Sequence, residues 1–194
     1  IETIEFTASQ ISQLKLHLLK NTGSAQTLVE NARSLPLKQD IIRQLQHPDT
    51  KRIHDTLRWL QESPDHHIIH LGAKLYPLQL AAIHSPPLLL YVSGEARCLQ
   101  NTQVAIVGSR RASPYGLKHA GQFAHDLSQI GISITSGLAL GIDAAAHEGA
   151  LKTHTPTIAV LGSGMNNIYP KKHVHLADRI SHHGAIISEL PLNA

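Results

Sequence analysis

A chain of 194 residues, 42% apolar and 16% charged, has room for one large domain or for a medium and a small one, with the composition of a soluble globular protein. No apolar run approaches the roughly 20 residues of a membrane-spanning helix, and the acidic, amphipathic stretch Ile1-Glu2-Thr3-Ile4-Glu5 does not read as a secretory signal. The net charge of +3 admits a polyanion partner, but basic and acidic residues are evenly divided along the chain, so any such surface must come from local clustering.

The start at Ile1 rather than Met is what a chain lacking its true beginning would show. Cys98 is the only cysteine, which rules out an intrachain disulfide and makes a reducing cytoplasm the expected location. Its neighbours Ala96, Arg97, Leu99 and Gln100 provide no base and orienting group for a nucleophile.

Residues 1–65 have a helical pattern. Leu14, Leu18 and Leu19 share one face of a helix from about Ser9 to Lys20. Asn21-Thr22-Gly23-Ser24 breaks it, and Ser24 caps a second helix carrying Leu28, Val29 and Ala32. Short helices are also predicted over Leu37–Gln46 and Pro48–Gln61, the last capped by Asp49 or Thr50. Helix, glycine-containing turn, helix is the outline of a helix-hairpin-helix, whose turn amides hold a phosphate where they are left open.

Residues 66–101 read as a connector with two extended pieces, His67–Leu71 and Leu88–Val92, the second approached through Ser85-Pro86-Pro87. Residues 102–194 read as a Rossmann-like α/β domain. Four apolar runs end in glycine or serine: Val104–Gly108, Ile132–Ser136, Ile158–Gly162 and Ala185–Ser188. Helical stretches of about 114–130, 142–151 and 170–183 alternate with them, the sequence form of a parallel sheet with helices on both faces. Ser113-Pro114 has the form of an N-cap and first helical residue, and Pro170 is placed to open the last helix the same way.

In an open parallel sheet, ligands collect outside the carboxyl ends of the strands. Those ends carry Gly108-Ser109-Arg110-Arg111, Ser136-Gly137 running on to Gly141 and Asp143, Gly162-Ser163-Gly164, and Ser188-Glu189. Glycine and serine there mean bare amides, hydroxyls and little bulk, the makings of an anion nest, and Arg110 and Arg111 add two guanidinium forks. One glycine loop alone would signify only a tight turn; four converging on an arginine pair point to phosphate. The G-x-G-x-x-G dinucleotide fingerprint and the G-x-x-x-x-G-K-[ST] triphosphate loop are both missing, so neither NAD binding nor triphosphate hydrolysis is expected.

Asp143 and His147, four apart on a helix, are expected to act structurally, since no positioned Ser or Cys nucleophile accompanies them. The groups His66-His67-His70, His173-His175 and His182-His183 lack the partners and spacing of a zinc site, so no metal is expected. Read as exposed, they would gain charge below about pH 6.5 and strengthen polyanion binding in acid.

Gly108-Ser-Arg-Arg-Ala-Ser-Pro-Tyr-Gly116, Ser136-Gly-Leu-Ala-Leu-Gly-Ile-Asp-Ala-Ala-Ala-His147, Val160-Leu-Gly-Ser-Gly164, Ile168-Tyr-Pro170 and Gly184-Ala-Ile-Ile-Ser-Glu189 together resemble the bacterial DNA-processing protein A family (DprA/Smf). The resemblance covers about 86–192, and in outline the helical front fits that family's sterile-alpha-motif-like N-terminal domain. It implies a cytoplasmic, non-enzymatic protein without cofactor or membrane attachment. Such a protein binds incoming single-stranded DNA in natural transformation, displaces single-strand-binding protein and loads RecA recombinase. By resemblance, Gly108, Ser109 and Arg110 contact backbone phosphates, while Ser136, Gly137, Gly162, Ser163 and Gly164 form the pocket floor. Lys171 and Lys172, after Tyr169-Pro170, extend the basic rim.

The family continues into an F-P-x-R-N-R segment and further strands that serve dimerisation and RecA contact. This chain stops at Ala194, so the resemblance implies a C-terminally truncated form, with a homodimer expected of the full-length protein. The competing reading is a phosphoribohydrolase-like (LOG-type) nucleotide-binding enzyme, which has similar glycine loops; its P-G-G-x-G-T-x-x-E signature does not occur in this chain.

Overall fold

The computed structural model describes residues 49–194. The predicted helices up to Gln46, and the hairpin turn between the first two, lie outside the described residues. In chain order the elements are α1 (Thr50–Glu62), β1 (His66–His70), α2 (Leu78–Ala81), β2 (Leu89–Gly94), β3 (Gln103–Ala105), α3 (Pro114–Gln129), β4 (Ser133–Ser136), α4 (Ile142–Ala150), β5 (Thr157–Val160), α5 (Val174–His183) and β6 (Ala185–Ser188).

Two predicted caps can be compared with their hydrogen bonds. Asp49 Oδ1 accepts the Arg52 N–H at 3.1 Å and starts α1. Ser113 Oγ accepts the Gly116 N–H at 3.1 Å, with Pro114 as the first helical residue of α3. The helix predicted from Pro170 opens instead as a 3-10 turn over Lys171–His173, and α5 proper begins at Val174. Pro170 supplies no side-chain cap, and the His173 ring turns away to the second loop, so the first turn stays tight.

The six strands form one sheet in the order β1-β2-β6-β5-β4-β3. β3, β4, β5 and β6 are parallel, with Ile134 opposite Thr157 and Ala159 opposite Ile186. The two extended pieces of residues 66–101 are β1 and β2, which continue the same sheet antiparallel to β6. The Rossmann-like α/β fold is therefore built on a mixed sheet rather than a wholly parallel one.

From β3 to β6 each strand is laid down on the same side of its predecessor. Right-handed crossovers then place α3, α4 and α5 on one face. There Ala124, Ile134, Ala146, Leu176, Ile180 and Ile186 pack. The opposite face, with Val92, Ile158 and Ile187, is covered by α2 and by a 3-10 turn holding Cys98 and Leu99. Ile134, Ile158, Ile180 and Val92 are fully buried, each such side chain contributing about 1.5–3 kcal/mol of transfer free energy. α3 and α4 cross at bare backbone: a Cβ on Gly149 would fall on the carbonyl oxygen of Gly121. α3 follows β3 and α4 follows the parallel strand β4, so the N-terminal ends of both helices lie beside the carboxyl ends of the strands.

Candidate functional site

Because β3, β4 and β5 are parallel neighbours, the loops leaving their carboxyl ends lie side by side. Between them opens a cavity of about 240 Å³, lined by Arg110 from the first loop, Gly137, Ala139 and Leu140 from the second, and Gly162 and Ser163 from the third. Tyr169 and Pro170, joined by a cis peptide bond, close its side. Among the described residues Arg110 has no ion-pair partner, so its exposed guanidinium is available to an anion.

The three loops are tied together from beneath. Asp143, in the first turn of α4 and only 5% exposed, accepts the Gly108 N–H at 3.3 Å on one oxygen and the Gly137 N–H at 3.1 Å on the other. One carboxylate thus joins the first loop to the second. The Ser109 carbonyl accepts the Ile142 N–H at 3.2 Å, and Gly141, at φ 84°, packs its bare α-carbon against the same carbonyl. Leu138 is buried with φ 58°, a left-handed conformation that costs a non-glycine residue about 1–3 kcal/mol. It is held by His173, whose Nδ1–H donates to the Leu138 carbonyl at 2.7 Å. Ser188 Oγ donates to the Ser163 carbonyl at 2.7 Å and supports the third loop.

The residues expected at the site divide accordingly. Arg110, Gly137, Gly162 and Ser163 line the cavity. Ser109 and Arg111 lie on the exposed first loop, where Ser109 Oγ accepts the Arg111 N–H at 3.1 Å. Lys171 and Lys172 are exposed on the 3-10 turn directly after Pro170. Three others turn their polar groups inward, though Gly108 itself is exposed. Gly108 gives its amide to Asp143, Ser136 Oγ donates to the Ile106 carbonyl at 2.6 Å, and Gly164 donates to the Ala194 carbonyl at 2.9 Å. Tyr169, Ala139, Leu140 and Pro170 also line the cavity; they stand within the motifs quoted above but were not among the residues expected to contact phosphate.

Asp143 and His147 do not bond to each other. The Thr157 hydroxyl donates to the Ile134 carbonyl at 2.7 Å, so His147 must donate from Nδ1 to Thr157 Oγ1 at 2.8 Å. That leaves Nε2 as the bare nitrogen, buried without a hydrogen-bond partner among the described residues. Burial pushes the His147 pKa down to about 4 despite the opposing pull of Asp143. Four histidines expected to be exposed, His66, His67, His173 and His183, are half-buried instead. His66 stacks on the Trp59 ring at 4.0 Å, and His173 holds Leu138. Cys98 is buried, and desolvation followed by Glu95 raises its thiol to about 12, so it stays protonated and unreactive.

Gly162 differs from Gly108, Gly137, Gly141 and Gly164 in that a Cβ added there would meet nothing within 4 Å. Gly162→Ala is expected to leave stability within about 0.5 kcal/mol of the parent, while a methyl group in the cavity lowers anion affinity. Thermal unfolding and oligonucleotide titration of the same preparation would show the two effects separately.

The family model for DNA recombination-mediator protein A matches residues 67–194, which include the whole sheet except His66 and all of the loops just described. The chain belongs to the DNA recombination-mediator protein A family. Protein Smf of Escherichia coli (strain K12) is 44% identical over 144 residues, covering 74% of this chain and 38% of its own length. DNA processing protein DprA of Bacillus subtilis (strain 168) is 34% identical over 124 residues, 63% of this chain and 42% of its own. The chain spans about two fifths of the length of these curated relatives, 38% and 42%.

Among solved structures, DNA processing protein A from Streptococcus pneumoniae is similar with a TM-score of 0.64 and 29% identity, over 98% of this chain and 70% of that one. DNA processing protein A from Helicobacter pylori, described for its unique single-stranded DNA binding mode, is similar with a TM-score of 0.58 and 32% identity, over 64% and 55%. These family members share the Rossmann-like sheet seen here. Among the described residues no helix is long and apolar enough to cross a membrane.

Proposed function

We propose that this chain holds single-stranded DNA by its backbone phosphates in the cradle at the ends of β3, β4 and β5. The observation that carries the reading is the Arg110 guanidinium, without an ion-pair partner among the described residues, beside Gly137, Gly162 and Ser163 in a cavity of about 240 Å³. Ser109, Arg111, Lys171 and Lys172 extend the cradle along an exposed rim. Contacts of this kind fix the path of a strand and carry no base information, so binding tolerates any sequence. In its full-length form the protein acts as a cytoplasmic, non-enzymatic mediator. It forms a homodimer and loads RecA recombinase onto incoming DNA in natural transformation. The likeness to a DNA processing protein A described for single-stranded DNA binding supports the strand, and the family supports the mediator role.

The test is fluorescence anisotropy of a labelled oligo-dT with the parent and Arg110→Ala over a salt series. Arg110→Ala is expected to weaken binding by about 1.5–3 kcal/mol, as for a hydrogen bond to a charged group. It should also flatten the slope of log K against log salt by about 0.7, one phosphate fewer being neutralised. Equal affinity and equal slope in the two proteins would remove the cradle from the binding site. RecA filament growth on a strand coated with single-strand-binding protein, with and without this protein, tests the mediator role.

A further inference from the structure

The amides at the two helix starts beside the cavity, with those of Gly108 and Gly137, can be followed to their acceptors, and most of these are already used. The amides of Ala139, Leu140, Gly162 and Ser163 have no acceptor among the described residues. Gly108 and Gly137 donate to Asp143. At the start of α4, Ile142 donates to the Ser109 carbonyl, Ala144 to Ala139 and Ala145 to Gly141, at 3.1–3.2 Å. At the start of α3, Ser113 takes the Gly116 N–H on its hydroxyl and the Leu117 N–H on its carbonyl. Open amides at a helix start are the usual means of neutralising a doubly charged phosphate. Here both neighbouring helix starts are largely quenched by the protein itself.

The local charge points the same way. Among the described residues lining the cavity Arg110 alone is cationic. Directly under the lining residue Gly137 lies a carboxylate: a Cβ on Gly137 would stand 2.8 Å from Asp143 Oδ2. Asp143 is 5% exposed, so water screens its charge poorly. One guanidinium above and one buried carboxylate below suit an anion of a single charge. A second negative charge inside the cavity meets the carboxylate without a second cation among the lining residues, Arg111, Lys171 and Lys172 standing outside on the rim.

We infer that Asp143 makes the cradle selective for the singly charged phosphodiester inside a strand, against the doubly charged phosphate of a strand end or a free nucleotide. Asp143 does this without touching the ligand, by fixing Gly108 and Gly137 and by its charge beneath the floor, and is therefore a positioning residue. The inference rests on the reading of the cradle as the DNA site.

Matched competitors test it. Labelled oligo-dT bound to the protein at pH 8 is displaced with thymidine 5′-monophosphate, which carries two charges, or with its methyl ester, which carries one. The methyl ester is expected to compete at least tenfold better with the parent protein, and the gap should close to about threefold or less in Asp143→Asn. Asp143→Ser, which keeps an acceptor for one amide without a charge, takes the same measurement should the Asn variant not fold. Loss of loop order alone would weaken both competitors together and leave their ratio unchanged. Equal competition with the parent, or a gap that persists in a folded Asp143 variant, would overturn the inference. A failure of oligo-dT itself to bind would remove the proposed DNA site instead.

Discussion

Gly141→Ala is expected to lower stability by about 3 kcal/mol or more and to abolish strand binding. Gly141 sits at φ 84° and ψ −124°, a region that costs an L-residue about 1–3 kcal/mol. The added methyl group would also fall on the carbonyl oxygen of Ser109 and against Arg110. Neither atom belongs to a flexible side-chain tip, so the first loop itself must move, and with it the guanidinium that lines the cavity. A loss of this size corresponds to a fall of roughly 10 °C in Tm for a domain of this length. Gly131→Ala is the control: φ is 85° there too, but a Cβ would meet nothing within 4 Å. That variant should show only the conformational cost, about 1 kcal/mol, with oligo-dT affinity unchanged. Equal loss of stability in the two variants would mean that the contact between Gly141 and the first loop contributes nothing.

Acid is expected to destabilise the protein through His147. The folded-state pKa is about 4, whereas an unfolded chain offers an ordinary histidine near 6.5. Below 6.5 the unfolded state therefore binds a proton that the folded state refuses. Stability should be full above about pH 6.5 and fall steadily until pH 4, where the folded form protonates as well. Over that window the loss approaches about 3 kcal/mol, from 1.36 kcal/mol per pH unit. Urea unfolding at several pH values would measure the slope. His147→Gln should flatten it while lowering stability at neutral pH, because the amide replaces the bond to Thr157 imperfectly. A parent protein equally stable at pH 7 and pH 4.5 would exclude this account.

Much of the architecture was legible in the residues. Apolar runs ending in glycine or serine, separated by helical stretches, specify parallel strands whose ends carry the loops. Ser113-Pro114 marks a helix start by chemistry that depends on those two residues alone. The arginine after Gly108 and the glycines at 137 and 162 could be placed together because the strands preceding them are parallel neighbours, a consequence of pattern and topology. The antiparallel pairing of β1 and β2 with β6 was not legible, since nothing local to His66–His70 or Leu89–Gly94 states its partner.

What tertiary structure decided is the direction of each polar group. Gly108 and Gly137 read as open amides from their residue type, and the fold turns both onto Asp143. Gly164 belongs by sequence to the same loop as Gly162, yet its amide goes to Ala194 while Gly162 faces the cavity. His173 looked like one more exposed histidine and instead holds a left-handed Leu138. The sequence by itself determined which residues stand at the strand ends and so the kind of ligand the edge can hold. Which donors remain free for that ligand depends on backbone angles and on neighbours far apart in the chain. Those are set only when the loops pack against one another.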